Sequence, residues 1–277
     1  MKRVSTHDFL AKKQAGQKIT VLTAYDYPTA CLLDEAEIDA ILVGDSLGNV
    51  VLGYDNTIPV TMDEMLHHTK AVARGSKKAL IIGDMPFLTY HTGLTDALRN
   101  AGRFLQEGGA QAVKLEGGKE RVEVVKALVE AGIPVMGHLG LTPQSVHQLG
   151  GFKVQGKTEA DAKKLMEDAI ALEYAGVFAI VLECIPAGLA ERVTGGLKVP
   201  TIGIGAGAAC DGQVLVTHDM LGLSGNKVPK FVKQFCNIRE LMLEGLQAYK
   251  KEVEQGAFPA EGHTFISSER IELPKIY

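Results

Sequence analysis

Two stretches of this chain run from consecutive apolar residues into glycine and then aspartate: Ala40-Ile41-Leu42-Val43-Gly44-Asp45-Ser46 and Ala79-Leu80-Ile81-Ile82-Gly83-Asp84-Met85-Pro86. Such runs mark strands buried on both faces, as in a parallel sheet. An acid set directly beyond one must be solvated, paired or bound to a cation, because a bare buried charge is very costly. A divalent cation shared by Asp45 and Asp84 meets that requirement. The other reading is that each aspartate caps the following loop or helix; the repeated pattern favours the cation.

Further strand ends carry groups that could work beside them. In Ala112-Val113-Lys114-Leu115-Glu116-Gly117-Gly118, charges alternate with apolar residues, so Lys114 and Glu116 share one face of a strand. In a barrel whose outer face packs on helices that face is the inner one, with a structural ion pair as the alternative. Ile133 to Gly140 delivers His138, which is expected to contact substrate or brace another group. Val177 to Leu182 delivers Glu183, followed by Cys184-Ile185-Pro186. With apolar neighbours and no adjacent cation, Glu183 is expected to have the raised pKa of a general base, or else to hold another ligand in place. Several carboxylates without a cysteine set or paired histidines favour a hard ion, Mg²⁺ first. A 2-oxo acid can chelate such an ion through its carboxylate and keto oxygen, with Lys114 balancing the carboxylate. The adjacent C–H then becomes acidic enough for Glu183 to remove, and the enolate can attack a one-carbon electrophile.

The elements that must hold these groups follow a strand–helix rhythm. After a short polar helix, strands are expected at 19–24, 40–44, 79–84, 112–118, 133–140, 177–182, 199–204 and 213–219. This is the order of a (β/α)8 TIM barrel, single-domain and α/β, with active-site groups at the carboxyl ends of its strands. Thr61-Met62-Asp63-Glu64 reads as a capping box, with His67 and His68 on a solvated or interhelical face. Thr95 and Thr158 are further helix caps, and Gly108-Gly109 is a helix stop. A helix is expected from Lys119 to Ala131. The long segments 48–59 and 141–156 suit binding loops or lids. Gly203-Ile204-Gly205-Ala206-Gly207-Ala208 spells a dinucleotide fingerprint but leaves no room for its helix before Asp211-Gly212, so close approach of backbone to a ligand is the better reading. Pro229 to Gln255 reads as helix with Ile238, Leu241, Met242 and Tyr249 on one stripe, more apolar helix than a barrel needs, and so expected to pack on a neighbouring subunit.

The composition agrees with such a reading. The 277 residues are 46% hydrophobic and 22% charged, enough for one barrel, and the net charge of -4 leaves no footprint for nucleic acid. No window approaches the about 18 apolar residues of a membrane span, and no basic run suits a membrane surface. Cys31, Cys184, Cys210 and Cys236 lie too far apart for a zinc site or a disulfide framework and read as reduced thiols in the cytoplasm.

Six motifs together resemble the ketopantoate hydroxymethyltransferase family: Val43-Gly44-Asp45-Ser46-Leu47-Gly48, Gly83-Asp84-Met85-Pro86-Phe87, Val113 to Gly118, Gly137-His138-Leu139-Gly140-Leu141-Thr142-Pro143-Gln144-Ser145, Leu182-Glu183 and Gly203 to Gly207. The resemblance spans roughly residues 5 to 265. It implies Mg²⁺-dependent transfer of a hydroxymethyl group from 5,10-methylenetetrahydrofolate to 3-methyl-2-oxobutanoate, forming 2-dehydropantoate for pantothenate and coenzyme A. It also implies a barrel similar to the phosphoenolpyruvate mutase and isocitrate lyase superfamily, and a homo-oligomer, commonly a decamer. Carried over to this sequence, Asp45 and Asp84 would coordinate Mg²⁺, with Glu116 a third metal-site acid acting through water. Asp45, Ser46, Asp84 and Lys114 would contact the oxo acid, and Glu183 would accept the proton. His138 matches a motif position without an assigned role. The expected division is a catalytic barrel over 1–265 and a tail over 266–277. The rivals are a Mg²⁺-dependent C–C lyase or phosphonate mutase, whose Lys-Cys-Gly signature is absent here, and a non-catalytic barrel that binds an oxo acid.

Overall fold

The eight apolar runs become eight parallel strands, each bonded to the next and the last to the first, in a computed structural model that describes residues 3–224 and 228–266. They are β1 Ile19–Thr23, β2 Ala40–Val43, β3 Leu80–Asp84, β4 Ala112–Glu116, β5 Val135–Gly140, β6 Ala179–Glu183, β7 Thr201–Ile204 and β8 Gly212–Leu215. Parallel neighbours need crossovers, which are mostly helical. The helices are α1 Thr6–Gln14, α2 Tyr27–Glu35, α3 Leu47–Val50, α4 Met62–Gly75, α5 Leu94–Arg103, α6 Val122–Glu130, α7 Val146–Leu149, α8 Glu159–Ala175, α9 Ala187–Gly196, α10 Thr217–Met220 and α11 Ile238–Glu254. The expected (β/α)8 barrel is present, and no helix occupies the short connection from β7 to β8. No helix among the described residues is long and apolar enough to cross a membrane.

Strand residues alternate between two cores. Val21, Leu42, Leu80, Ile82, Ala112, Met136, Ala179, Val181, Ile202 and Val214 fill the barrel interior, whereas Ile41, Val43, Ile81, Val113, Leu115, Val135, Ile180 and Leu182 pack against the helices. The strand period of two then dictates which polar residues face inward at the carboxyl ends. Asp84 follows Leu80 and Ile82, Lys114 and Glu116 follow Ala112, His138 follows Met136, and Glu183 follows Ala179 and Val181.

The opposite end is closed by α1. Asp8 accepts hydrogen bonds from the backbone N–H and hydroxyl of Ser5, at 2.7 and 2.6 Å, which fixes the start of the helix. Phe9 then projects fully buried into the interior cluster, edge-on to Phe178 at 5.5 Å between ring centroids. Phe9→Ala is expected to cost about 3–5 kcal/mol of unfolding free energy in urea titrations. The Michaelis constants should stay put, because the site lies at the other end.

Several boundaries differ from the sequence reading. Gly93, at φ +125°, is the cap of α5 instead of Thr95, which lies within the helix. The stop at Gly108-Gly109 is present, reached through one π-helical turn, Phe104–Gly108, that ends with Gly109 at φ +76°. Residues 119–121 form a 3-10 turn ahead of α6, and β8 ends at Leu215, so that Asp219 lies in α10. Helical structure starts at Ile238 and not at Pro229: Phe235 N–H donates to Met220 O and Ile238 N–H to Leu221 O, which ties 229–237 back onto α10 and overrides the helical spacing. The expected caps at Thr61 and Thr158 are made, at 3.2 Å each. His67 is exposed, and His68 Nδ1 lies 2.6 Å from Tyr25 O. Of the tail over 266–277, all but Ile266 lies outside the described residues.

Candidate active site

The carboxyl ends of the strands open into one cavity of about 1050 Å³, lined by Asp45, Ser46, Asp84, Lys114, Glu116, His138 and Glu183 together. Every candidate residue named from the sequence is therefore at one place. Strand register sets their heights: Asp84 pairs with Lys114, Glu116 with His138, and Gly140 with Glu183. Asp45 follows Gly44, the residue after β2, and its backbone N–H donates to Asp84 Oδ2 at 3.2 Å. Ser46 is half-buried, with its hydroxyl 2.8 Å from the phenol of Tyr25.

Charge is concentrated here. Asp45, Asp84, Lys114, Glu116 and His138 are each no more than 4% exposed. Lys114 Nζ lies 2.8 Å from Asp84 Oδ1, 4.0 Å from Glu116 Oε1 and 3.2 Å from His138 Nδ1. His138 Nδ1 is 3.5 Å from Glu116 Oε1, and its Nε2 is 3.2 Å from Glu183 Oε2. Burial and the Lys114 ammonium oppose a charge on His138, yet Glu116 and Glu183 outweigh them and bring its pKa up to about 9. Burial likewise opposes the charge on Lys114, and the surrounding carboxylates hold it above the ordinary lysine value. Burial, Asp84 and Glu116 push Asp45 well above the usual carboxylate range; burial also raises Asp84, against the pull of Lys114. Glu116 goes the other way: its burial is overcome by His138, Lys114 and the Gln144 N–H.

Glu183 needs a correction. The carboxyl expected among apolar neighbours instead lies 3.2 Å from His138 Nε2, and its side chain keeps 15% of its surface exposed. Isolation among apolar groups is therefore not its situation. The register of β5 against β6, which brings these groups together, cannot be read from either strand alone. Directly after it, Cys184 takes φ +47°, rare for a residue with a side chain, and turns the chain out of the barrel. Burial, with Glu183 adding, pushes the Cys184 thiol up to about 11, so it stays protonated near neutrality.

The reading of residues also missed Gln144, Tyr90 and Tyr25. Gln144 Nε2 donates to Asp45 Oδ2 at 2.8 Å and to Met85 O at 2.9 Å, while its backbone N–H donates to Glu116 Oε2 at 3.1 Å. Its Oε1 accepts from the Tyr90 hydroxyl at 2.6 Å, and that hydroxyl accepts from Glu116 N–H at 3.2 Å. One residue, through its side-chain amide and its backbone N–H, thus connects two of the acids to the loop after β5. Pro143 beside the strand end is the available hint, since it starts the 3-10 turn Pro143–Ser145 that carries Gln144 inward. Gln144→Ala strands a buried phenol and removes a donor from Asp45, and is expected to cost about 1–3 kcal/mol in chemical denaturation. Gln144→Glu, which keeps the size, should cost more by adding another acid.

The glycines after β7 serve the protein's own packing. An added Cβ would come within 2.8 Å of the Phe231 ring at Gly205 and within 2.7 Å of Ala187 Cβ at Gly207. Both long loops border the cavity, through Asn49, Val50 and Thr57 on one side and Phe152, Lys153 and Val154 on another.

The donor set suits a hard cation. Four carboxyl groups, Asp45, Asp84, Glu116 and Glu183, face two basic groups, Lys114 and His138, so full ionisation would leave a deficit of two charges that one divalent ion makes up. Such an ion would bring Asp45 and Asp84 back to the charged form. Glu116 Oε1 is buried with no hydrogen bond made, Lys114 Nζ and His138 Nδ1 lying 4.0 and 3.5 Å away. Among the described residues no three His, Cys, Asp or Glu side chains form a ready-made ligand cage. Mg²⁺ needs only one or two protein carboxylates, since water and substrate oxygens complete its shell, and Asp45 and Asp84 would supply them.

A closed parallel barrel with buried acids and bases gathered at the carboxyl ends of its strands defines a (β/α)8 barrel enzyme. Solved structures of this shape include a phosphonopyruvate hydrolase in complex with oxalate and Mg²⁺ (TM-score 0.60, 16% identity, covering 95% of this chain and 93% of that one). Another is 2,3-dimethylmalate lyase, of the phosphoenolpyruvate mutase/isocitrate lyase superfamily (TM-score 0.61, 15% identity, 95% and 89% covered). At these identities the likeness concerns the fold. Sequence is more specific: the profile of the ketopantoate hydroxymethyltransferase family matches residues 3–261. The 3-methyl-2-oxobutanoate hydroxymethyltransferase of Syntrophomonas wolfei is 62% identical over 277 residues, covering 100% of both chains. That of Carboxydothermus hydrogenoformans is 58% identical, again over 100% of both. The chain belongs to the ketopantoate hydroxymethyltransferase family.

Proposed function

We propose that this chain transfers a hydroxymethyl group from 5,10-methylenetetrahydrofolate to 3-methyl-2-oxobutanoate, forming 2-dehydropantoate in pantothenate and coenzyme A biosynthesis. The observation that carries the reading is the convergence of acids and bases from five successive strand ends, β2 to β6, into one cavity. Asp45 and Asp84 would hold Mg²⁺, with Glu116 a third acid beside them. When bound, the ion supplies Lewis-acid polarisation of the keto group and charge stabilisation as the C–H is broken.

The remaining work belongs to the chain itself. Lys114 balances the substrate carboxylate, Ser46 offers a hydroxyl oriented by Tyr25, and Glu183 takes the proton from C3 of the oxo acid. His138, 3.2 Å from Glu183 Oε2, orients that base and borders the substrate. The enolic carbon then bonds to the one-carbon unit, whose bonds to N5 and N10 of the donor break. Water supplies the hydroxyl oxygen, and tetrahydrofolate leaves with its two nitrogens reprotonated by the C3 proton and one from water. The enzyme is read as a homo-oligomer, decameric as its sequence resemblance implies. Support comes from α11, none of whose residues is buried: Leu241, Met242, Leu246 and Tyr249 are 53–65% exposed. A cytoplasmic setting agrees with four cysteines that form no disulfide.

The test is a transfer assay before and after chelation. Protein stripped with EDTA and desalted is expected to lose about 10²-fold or more of its rate, and added Mg²⁺ should restore it. Full activity in metal-free protein would remove Asp45 and Asp84 from the role given to them.

A further inference from the structure

We infer that the outer part of the cavity, flanked by Phe152, Phe231, Lys153, Lys230 and Arg239, is the subsite for the one-carbon donor, a reduced pterin carrying a carboxylated tail. This rests on the reading above and says where its second substrate binds.

Size is the first argument. A cavity of about 1050 Å³ is at the top of the range that takes drug-sized ligands, and several times larger than a five-carbon oxo acid needs. Sign is the second. The buried floor carries the four acids, whereas Lys153, Lys230 and Arg239 are exposed at the rim, with half-buried Asp219 the other charged residue in that lining. The outer lining therefore has a net charge of +2, the complement of the α- and γ-carboxylates on one glutamate tail. A small oxo acid already matched at the floor has no use for it.

Order is the third argument. Phe231 rests on Gly205, where an added Cβ would meet the ring at 2.8 Å and the Cys184 Sγ at 3.3 Å. The ring is thereby fixed beside the end of β7 and next to the residue that follows Glu183. The donor must bring its reactive carbon to the enolised substrate, so its flat pterin belongs at this inner, aromatic level, stacked on a ring face. Its tail then runs outward to the cations, which come from two segments, one after β5 and one after β8. Asp219 offers an acceptor for the donor edge of the pterin.

The test separates the two substrates. Exchange of the C3 hydrogen of 3-methyl-2-oxobutanoate with deuterated solvent needs no donor and reports the inner site. Transfer, and equilibrium binding of tetrahydrofolate, report the outer one. In the double variant Lys230→Gln/Arg239→Gln, KM for 5,10-methylenetetrahydrofolate and Kd for tetrahydrofolate are expected to rise about tenfold, with a weaker salt dependence. Exchange should continue at the wild-type rate. Phe231→Leu is expected to weaken tetrahydrofolate binding without altering that salt dependence. Donor KM and Kd within twofold of wild type in the double variant would overturn the subsite, as would a parallel fall of exchange and transfer. Wild-type protein that binds tetrahydrofolate but shows no exchange would instead fault the oxo-acid reading, and exchange without any tetrahydrofolate binding would fault the subsite alone.

Discussion

Replacing Glu183 by glutamine is expected to lower kcat for hydroxymethyl transfer by about 10³-fold, within the span usual for loss of a positioned general base. The substitution keeps the shape of the side chain at the end of β6 and leaves an oxygen for His138, whose Nε2 stands 3.2 Å from Glu183 Oε2. What it removes is the ability to take a proton. The Michaelis constant for the oxo acid should therefore stay within about threefold of wild type, since its binding is assigned to Asp45, Ser46, Asp84 and Lys114. His138→Gln gives the contrast: the base remains but its orientation is released, so a smaller fall in kcat is expected. Steady-state kinetics with each substrate varied in turn measures both. A Glu183→Gln enzyme of undiminished kcat would require another proton acceptor, and the other carboxyl groups of the floor, Asp45, Asp84 and Glu116, are less open, at most 4% exposed.

Replacing Lys114 by methionine should be the most destabilising change in the site, at about 3–5 kcal/mol when measured by urea unfolding in the presence of a chelator. The ammonium is buried at 2.8 Å from Asp84 and 4.0 Å from Glu116. Methionine matches its length and apolar stem but leaves Asp45, Asp84 and Glu116 facing one another with His138 alone as counter-charge. The same imbalance predicts a partial rescue. Saturating Mg²⁺, which binds the folded acids in preference to the unfolded chain, should recover part of the lost stability, and more in the variant than in wild type. Equal stability of the two proteins in chelator would mean that the carboxylates tolerate one another without Lys114.

Much of this site is legible in the order of residue types. Period-two alternation puts Asp84, Lys114, Glu116 and Glu183 on the inner face once Leu80, Ala112 and Ala179 are assigned to the interior, and no tertiary information enters that step. Register is different. That Glu183 meets His138 depends on Gly140 pairing with Glu183 across β5 and β6, a shift that two apolar runs do not specify. Gln144 escapes for a similar reason: its amide joins Asp45, 99 positions away in the chain, through a loop whose course depends on the whole barrel rim. At the other end of the chain, the apolar stripe through Leu241, Met242 and Tyr249 correctly marks a helix, but amphipathic spacing states only that a face wants cover and not what covers it. The segment 229–237 has helical spacing too, and hydrogen bonds to Met220 and Leu221 prevail over that weak local preference.

The account stands on enolisation of the oxo acid at the barrel rim, and proton NMR in deuterium oxide observes that step alone. Wild-type protein with Mg²⁺ and 3-methyl-2-oxobutanoate, without any folate, should erase the C3 proton signal and collapse the methyl doublet, and should fail to do so with chelator present. A folded, Mg²⁺-loaded enzyme that binds the oxo acid yet leaves the C3 proton in place while transfer proceeds would contradict it.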